Sequence, residues 1–230
     1  MRNSTFLKTV ICFGYFFTLT TASKADLTGM GTILRLTGKS TVDHWYFDVN
    51  TGGQISFDVK SWEREPQAPL NDVDVNNDGE IAYLNTMIFL FADDGHLDVS
   101  DYLYKNDNSS ATYGDGSISN KDSYLSKTLT SGSYILAIGA TGLDAAQAIN
   151  GFRTSSYYPR GPNFASSSHG DYQILFRGDL SISQTPPGAL LTPEPQTVLL
   201  FLAGFCMIVL MRGGAPARRA SHFLTIKGRL

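Results

Sequence analysis

The chain has 230 residues, 42% of them hydrophobic, 12% aromatic and 17% charged, with a formal net charge of −3. That apolar and aromatic content excludes a disordered chain, and the length allows one large domain or two small ones. The weak negative charge offers nothing to nucleic acid.

In chain order, Arg2 and Lys8 come first, then an apolar run over residues 10–17, then Ser23-Lys24-Ala25. A basic start, a short apolar core and small residues three and one before the cut define a secretory signal peptide over residues 1–25. An exported domain over 26–187 follows. The stretch 26–192 holds 20 acidic and 10 basic residues, a net of −10, and no cysteine, because Cys12 and Cys206 lie in the apolar end segments. No disulfide can stabilise it, although its compartment would permit one, so stability must come from a core or a bound cation.

Period-two alternation recurs through this domain. Residues 46–49, the turn at Gly52-Gly53 and residues 55–59 predict a hairpin. The apolar run 86–91 has strand length and ends in the turn Asp93-Asp94-Gly95. Residues 124–129 and 133–138 flank Thr130-Ser131-Gly132 as a second hairpin, and 172–182 makes a last strand. Only 143–148 has a helical pattern, while 106–121 and 153–171 read as long polar loops. Seven or eight strands without a fixed repeat predict an all-β fold, a single β-sandwich of jelly-roll type.

One segment carries a chemical pattern: Asp74-Val75-Asn76-Asn77-Asp78-Gly79-Glu80-Ile81. Oxygen-bearing side chains fall at the first, third and fifth positions of a calcium-loop pattern, glycine at the sixth and an apolar residue at the eighth. Alternate side chains at that spacing can converge on a hard cation while Gly79 makes the sharp turn. Asp74, Asn76 and Asp78 would ligate Ca²⁺ through their side chains, and Glu80 through its backbone carbonyl. The twelfth position is Asn85 rather than a bidentate glutamate, so a solvated turn is the competing reading. Eight acids and no Lys or Arg between Pro66 and Tyr104 favour a cation. Asp93, Asp94, Asp98, Asp101 and Asp107 are further oxygen donors, each by itself an ordinary turn residue.

No catalytic signature is present: no nucleophile elbow, zinc-protease motif, P-loop or Rossmann glycine pattern. His44, His96 and His169 stand isolated in sequence and read as surface or strand histidines, so no catalytic residue is assigned and the chain is read as a non-enzyme. Trp45, Trp62, Tyr157 and Tyr158 suit either a sugar-stacking platform or core and loop packing, the latter being the commoner use.

Towards the C-terminus, a linker over 188–196 contains Pro193-Glu194-Pro195. An apolar stretch over 197–211 then precedes a basic tail, 212–230, that starts with Arg212. Fifteen residues at ~1.5 Å each span roughly 22 Å, short of the ~30 Å hydrocarbon core, so the helix suits transient anchoring. The basic tail orients it with 212–230 in the cytoplasm.

This C-terminal arrangement resembles the PEP-CTERM sorting signal of Gram-negative bacteria. The resemblance implies processing by exosortase, a membrane-embedded transpeptidase-like enzyme, followed by release to the cell surface or extracellular matrix. A second resemblance covers about 140 residues of the exported domain. It starts with Asp43-His44-Trp45-Tyr46-Phe47-Asp48-Val49 and passes through Phe89-Leu90-Phe91-Ala92-Asp93-Asp94-Gly95, Asn106-Asp107-Asn108 and Asp122-Ser123-Tyr124-Leu125. It ends with residues 129–138, and the whole is similar to bacterial pre-peptidase C-terminal domains. That likeness implies a small β-sandwich that binds calcium or matrix and does no chemistry itself. The expectation is an exported, calcium-stabilised, non-catalytic surface or biofilm-matrix protein. A carbohydrate-binding module for exopolysaccharide and an unrecognised hydrolase are the alternatives.

Overall fold

The structure, a computed structural model, describes residues 26–62, 74–76, 78–109, 119, 121–154, 159 and 166–193. The signal peptide, Glu194, Pro195, the 197–211 segment and the tail with Arg212 lie outside them. Among the described residues no helix is long and apolar enough to cross a membrane.

The fold is all-β, as expected, with twelve strands among the described residues: β1 Leu27–Leu36, β2 Lys39–Thr41, β3 Asp43–Val49, β4 Gly53–Lys60, β5 Thr86–Ala92, β6 Tyr102–Asn106, β7 Tyr124–Leu129, β8 Gly132–Ala140, β9 Phe152–Thr154, β10 His169–Arg177, β11 Leu180–Gln184 and β12 Leu190–Pro193. Every pairing is antiparallel. One sheet runs β7-β4-β10-β1-β2-β9 with β12 also on β1, and the other runs β11-β3-β8-β5-β6.

Successive strands mostly alternate between the sheets, and this corrects both expected hairpins. β3 pairs with β8 and β11, whereas β4 pairs with β7 and β10. β7 and β8 likewise belong to different sheets. The turns at 50–52 and 130–131 are therefore arches across the core. The physical reason is symmetric: an alternating strand buries its apolar face whether its successor lies beside it or opposite. Here Phe47 of β3 meets Phe57 of β4 edge-on across the interior, ring centroids 5.3 Å apart and planes at 62°. The expected last strand is likewise two, broken at Gly178-Asp179 so that β10 and β11 join opposite sheets. Asp179 accepts hydrogen bonds from Asn50 Nδ2 at 3.1 Å and Thr51 Oγ1 at 2.6 Å, tying two of these crossings together.

The main core lies between the sheets and draws on both, with Trp45, Phe47, Phe57, Tyr172 and Phe176 among its largest members. The Trp45 ring lies so close to β1 that a Cβ at Gly29 would enter it, which is why that buried strand position carries glycine. A second cluster, including Phe89, Phe91, Ile135 and Leu143, packs on the outer face of the smaller sheet. There the short helix α1, Ala145–Asn150, covers it through Ala148. β5 is thus buried on both faces, which explains its unbroken apolar run. β12 continues the larger sheet into the stretch read from sequence as linker.

Candidate metal centre

The loop at 74–80 folds onto its own oxygens. Gly79 N donates to Asp74 Oδ2 at 2.8 Å, and Asp78 N to Asp74 Oδ1 at 3.3 Å and Asn76 Oδ1 at 3.2 Å. Glu80 N donates to Asp78 Oδ1 at 3.1 Å, and Asn76 Nδ2 to Asp78 Oδ2 at 2.8 Å. Gly79 has φ +92°, the left-handed turn expected of it. Asp74, Asn76 and Asp78 therefore share one turn. Asn85, at the twelfth position, is buried where the chain enters β5.

The Glu80 carboxylate, to which the sequence reading gave no role, points to β10. Glu80 Oε1 lies 2.6 Å from His169 Nε2, and Asp171 Oδ2 lies 3.5 Å from the same nitrogen. Ligand atoms of the three residues all fall within 4.8 Å of one another. His169 is thus not isolated, which corrects the expectation for it. His169 and Asp171 sit two apart on β10, so one strand face presents both. Asp171 N reaches Ala82 O at 3.4 Å, drawing the segment after the calcium-like loop onto the start of this strand.

Asp171 is fully buried, and its Oδ1 accepts a hydrogen bond from Thr32 Oγ1 at 2.6 Å across the β1–β10 pairing. Burial pushes its carboxyl up to about 6. The Thr32 hydroxyl and His169 oppose that shift, and the charges of Asp78 and Glu80 add to it. His169 Nδ1 lies 3.0 Å from Ser168 Oγ. Beside them an open cleft of ≈ 560 Å³ is lined by Arg35, Leu36, Thr37, Gly38 and residues 166–168.

The other acids serve the backbone. Asp93 and Asp94 accept from Gly95 N and His96 N, and Asp98 and Asp101 form a capping box at a single 3-10 turn. Asp107 keeps a buried Oδ1 without a hydrogen-bond partner. Trp45 fills the core, as packing predicts, and Trp62 lies against Tyr83 with ring centroids 5.7 Å apart. Tyr157 and Tyr158 lie outside the described residues. The pairing of His169 with Asp171 was readable as a strand-spaced His-x-Asp, but its meeting with Glu80, 89 residues earlier, depends on tertiary structure. Compared with known proteins, the chain matches no family model and no curated protein.

Proposed function

We propose that this is an exported, exosortase-sorted surface or extracellular-matrix protein whose jelly-roll-like β-sandwich is non-catalytic and stabilised by Ca²⁺ at Asp74, Asn76, Asp78 and the Glu80 carbonyl. The supporting observation for the cation is the convergence of three side chains on one glycine-hinged turn. For sorting, the support is positional: Pro193, the first residue of Pro193-Glu194-Pro195, still pairs with Leu27 at the start of β1. Processing just beyond it would leave the strands intact while removing the apolar segment and Arg212. In this reading the partner is exopolysaccharide or other matrix, and the membrane contact through 197–211 is transient. Mass spectrometry of the exported protein checks the sorting: peptides should end near the Pro-Glu-Pro region. Recovery of residues 221–230 from the surface form would overturn it.

One arrangement favours a second reading, hydrolysis. Ser168 Oγ, the His169 ring and the Glu80 carboxylate line up as hydroxyl, imidazole and acid beside the cleft. Covalent labelling of Ser168 by a fluorophosphonate would establish it.

A further inference from the structure

We propose that Glu80, His169 and Asp171 form a second cation site, one that takes a divalent transition metal of the zinc class. The inference goes beyond the calcium reading and does not depend on it, since that reading uses only the Glu80 backbone carbonyl.

Two buried atoms point to a ligand. His169 Nε2 and Asp171 Oδ2 both lack a hydrogen-bond partner, and they face each other at 3.5 Å. The Glu80 contact at 2.6 Å is close but lacks hydrogen-bond alignment. An unpaired oxygen on a fully buried carboxylate is costly, and a shared cation removes that cost.

The distances suit zinc. With metal–ligand bonds of ~2.0–2.1 Å, tetrahedral ligands stand roughly 3.3 Å apart, near the separation of His169 Nε2 and Asp171 Oδ2. Glu80 is 54% exposed and can draw back slightly to complete a three-ligand set, leaving a fourth position for water.

The donor chemistry selects the metal. Calcium and magnesium take oxygen ligands, whereas imidazole nitrogen suits zinc and its first-row neighbours. Two carboxylates and a neutral imidazole carry two negative charges, which a divalent ion balances. An outer layer is also in place: Thr32 holds the second Asp171 oxygen, and Ser168 engages His169 Nδ1, directing Nε2 to the site. A metal here would clamp the chain that follows the calcium-like loop to β10.

The test uses the full-length, untagged chain in mild detergent, stripped of metal and titrated with Zn²⁺ against a chromophoric indicator. One zinc per chain should bind, and millimolar Ca²⁺ should not displace it. His169→Gln should weaken binding by more than the ~10–100-fold loss typical of outer-layer changes, and Thr32→Val by an amount within that range. Asp171→Asn, which keeps the shape and the acceptor for Thr32, should match His169→Gln and gives the reading if the histidine variant misfolds. Asp78→Ala removes a nearby charge but no zinc ligand, so it should weaken zinc binding far less than His169→Gln or Asp171→Asn even if it abolishes calcium binding, and failure of either reading is told from failure of the other. Co²⁺ should give visible ligand-field bands that vanish in His169→Gln. Absent zinc binding, or binding untouched by both ligand substitutions, would overturn the site and leave an ion-paired histidine.

Discussion

Asp43 shows how one side chain sets a pH response. The Tyr172 hydroxyl donates to Asp43 Oδ2 at 2.7 Å and accepts from Trp45 Nε1 at 2.9 Å, a polar chain inside the aromatic core. Burial pushes the Asp43 carboxyl up to about 6, with the Tyr172 hydrogen bond opposing the shift. The folded state thus holds the proton more tightly than the unfolded chain. This contribution to stability is complete below about pH 4 and is lost as pH rises through 6. Holding the proton up to about pH 6 in place of the ordinary carboxylate range corresponds to at most ~3 kcal/mol. Asp43→Asn keeps a neutral acceptor for Tyr172 and should be more stable than wild type at pH 7.5 by about 1–3 kcal/mol. At pH 4 the two should be nearly equal. Asp171 adds a slope of the same sign in both proteins, so the difference between them isolates Asp43. Urea denaturation at both pH values measures it, and identical slopes would refute the assignment. The sequence marked Trp45 as core, but its link through Tyr172 to Asp43 joins residues 127 and 129 positions apart, beyond the reach of local pattern.

At the scale of elements, alternation located β3, β4, β7 and β8, and an unbroken apolar run located β5, but neither signal gave their partners. Period two reports that one face is buried and is silent on whether the next strand is a neighbour or an opposite wall. β1 escaped notice because Gly29 and Gly31 interrupt its apolar pattern where aromatic rings pack against the strand. The arches leave connections that need anchors, and Asp122 is one. Its Oδ1 accepts from Ser61 N at 2.8 Å, Trp62 N at 2.9 Å and Ser61 Oγ at 3.1 Å. Alongside, Ser123 Oγ donates to Thr86 O at 2.9 Å and Asp107 O at 3.0 Å. This buried polar seam joins the end of β4 to the entries of β5 and β7. Asp122→Ala strands the Ser61 and Trp62 backbone donors, while Ser61 Oγ keeps Leu84 O at 2.9 Å, and should cost about 2–4 kcal/mol. Chemical denaturation checks this; a loss below ~0.5 kcal/mol, the range of an ordinary surface change, would contradict the anchoring role.

At the scale of the whole molecule, the acidic sandwich within residues 26–192 has no cysteine and depends on its core rather than on disulfides. The calcium-like loop was legible because its oxygen-bearing side chains are local: spacing alone put Asp74, Asn76 and Asp78 on one turn. The Glu80–His169–Asp171 group was not, since it forms only when the chain after that loop lies along β10. Together they place two candidate cation sites at the junction between the long 61–85 connection and the larger sheet.

The most direct test of the cation-stabilised account is a thermal melt of the metal-free, full-length chain with and without calcium. Binding only to the folded state contributes roughly 1.4 kcal/mol at a calcium concentration ten times Kd. For a domain of this size that raises the melting temperature by about 3–6 °C. The account predicts that rise in the wild-type protein, its loss in Asp78→Ala and poor substitution by magnesium. Equal melting temperatures with and without millimolar calcium would contradict it and return the loop to a solvated turn.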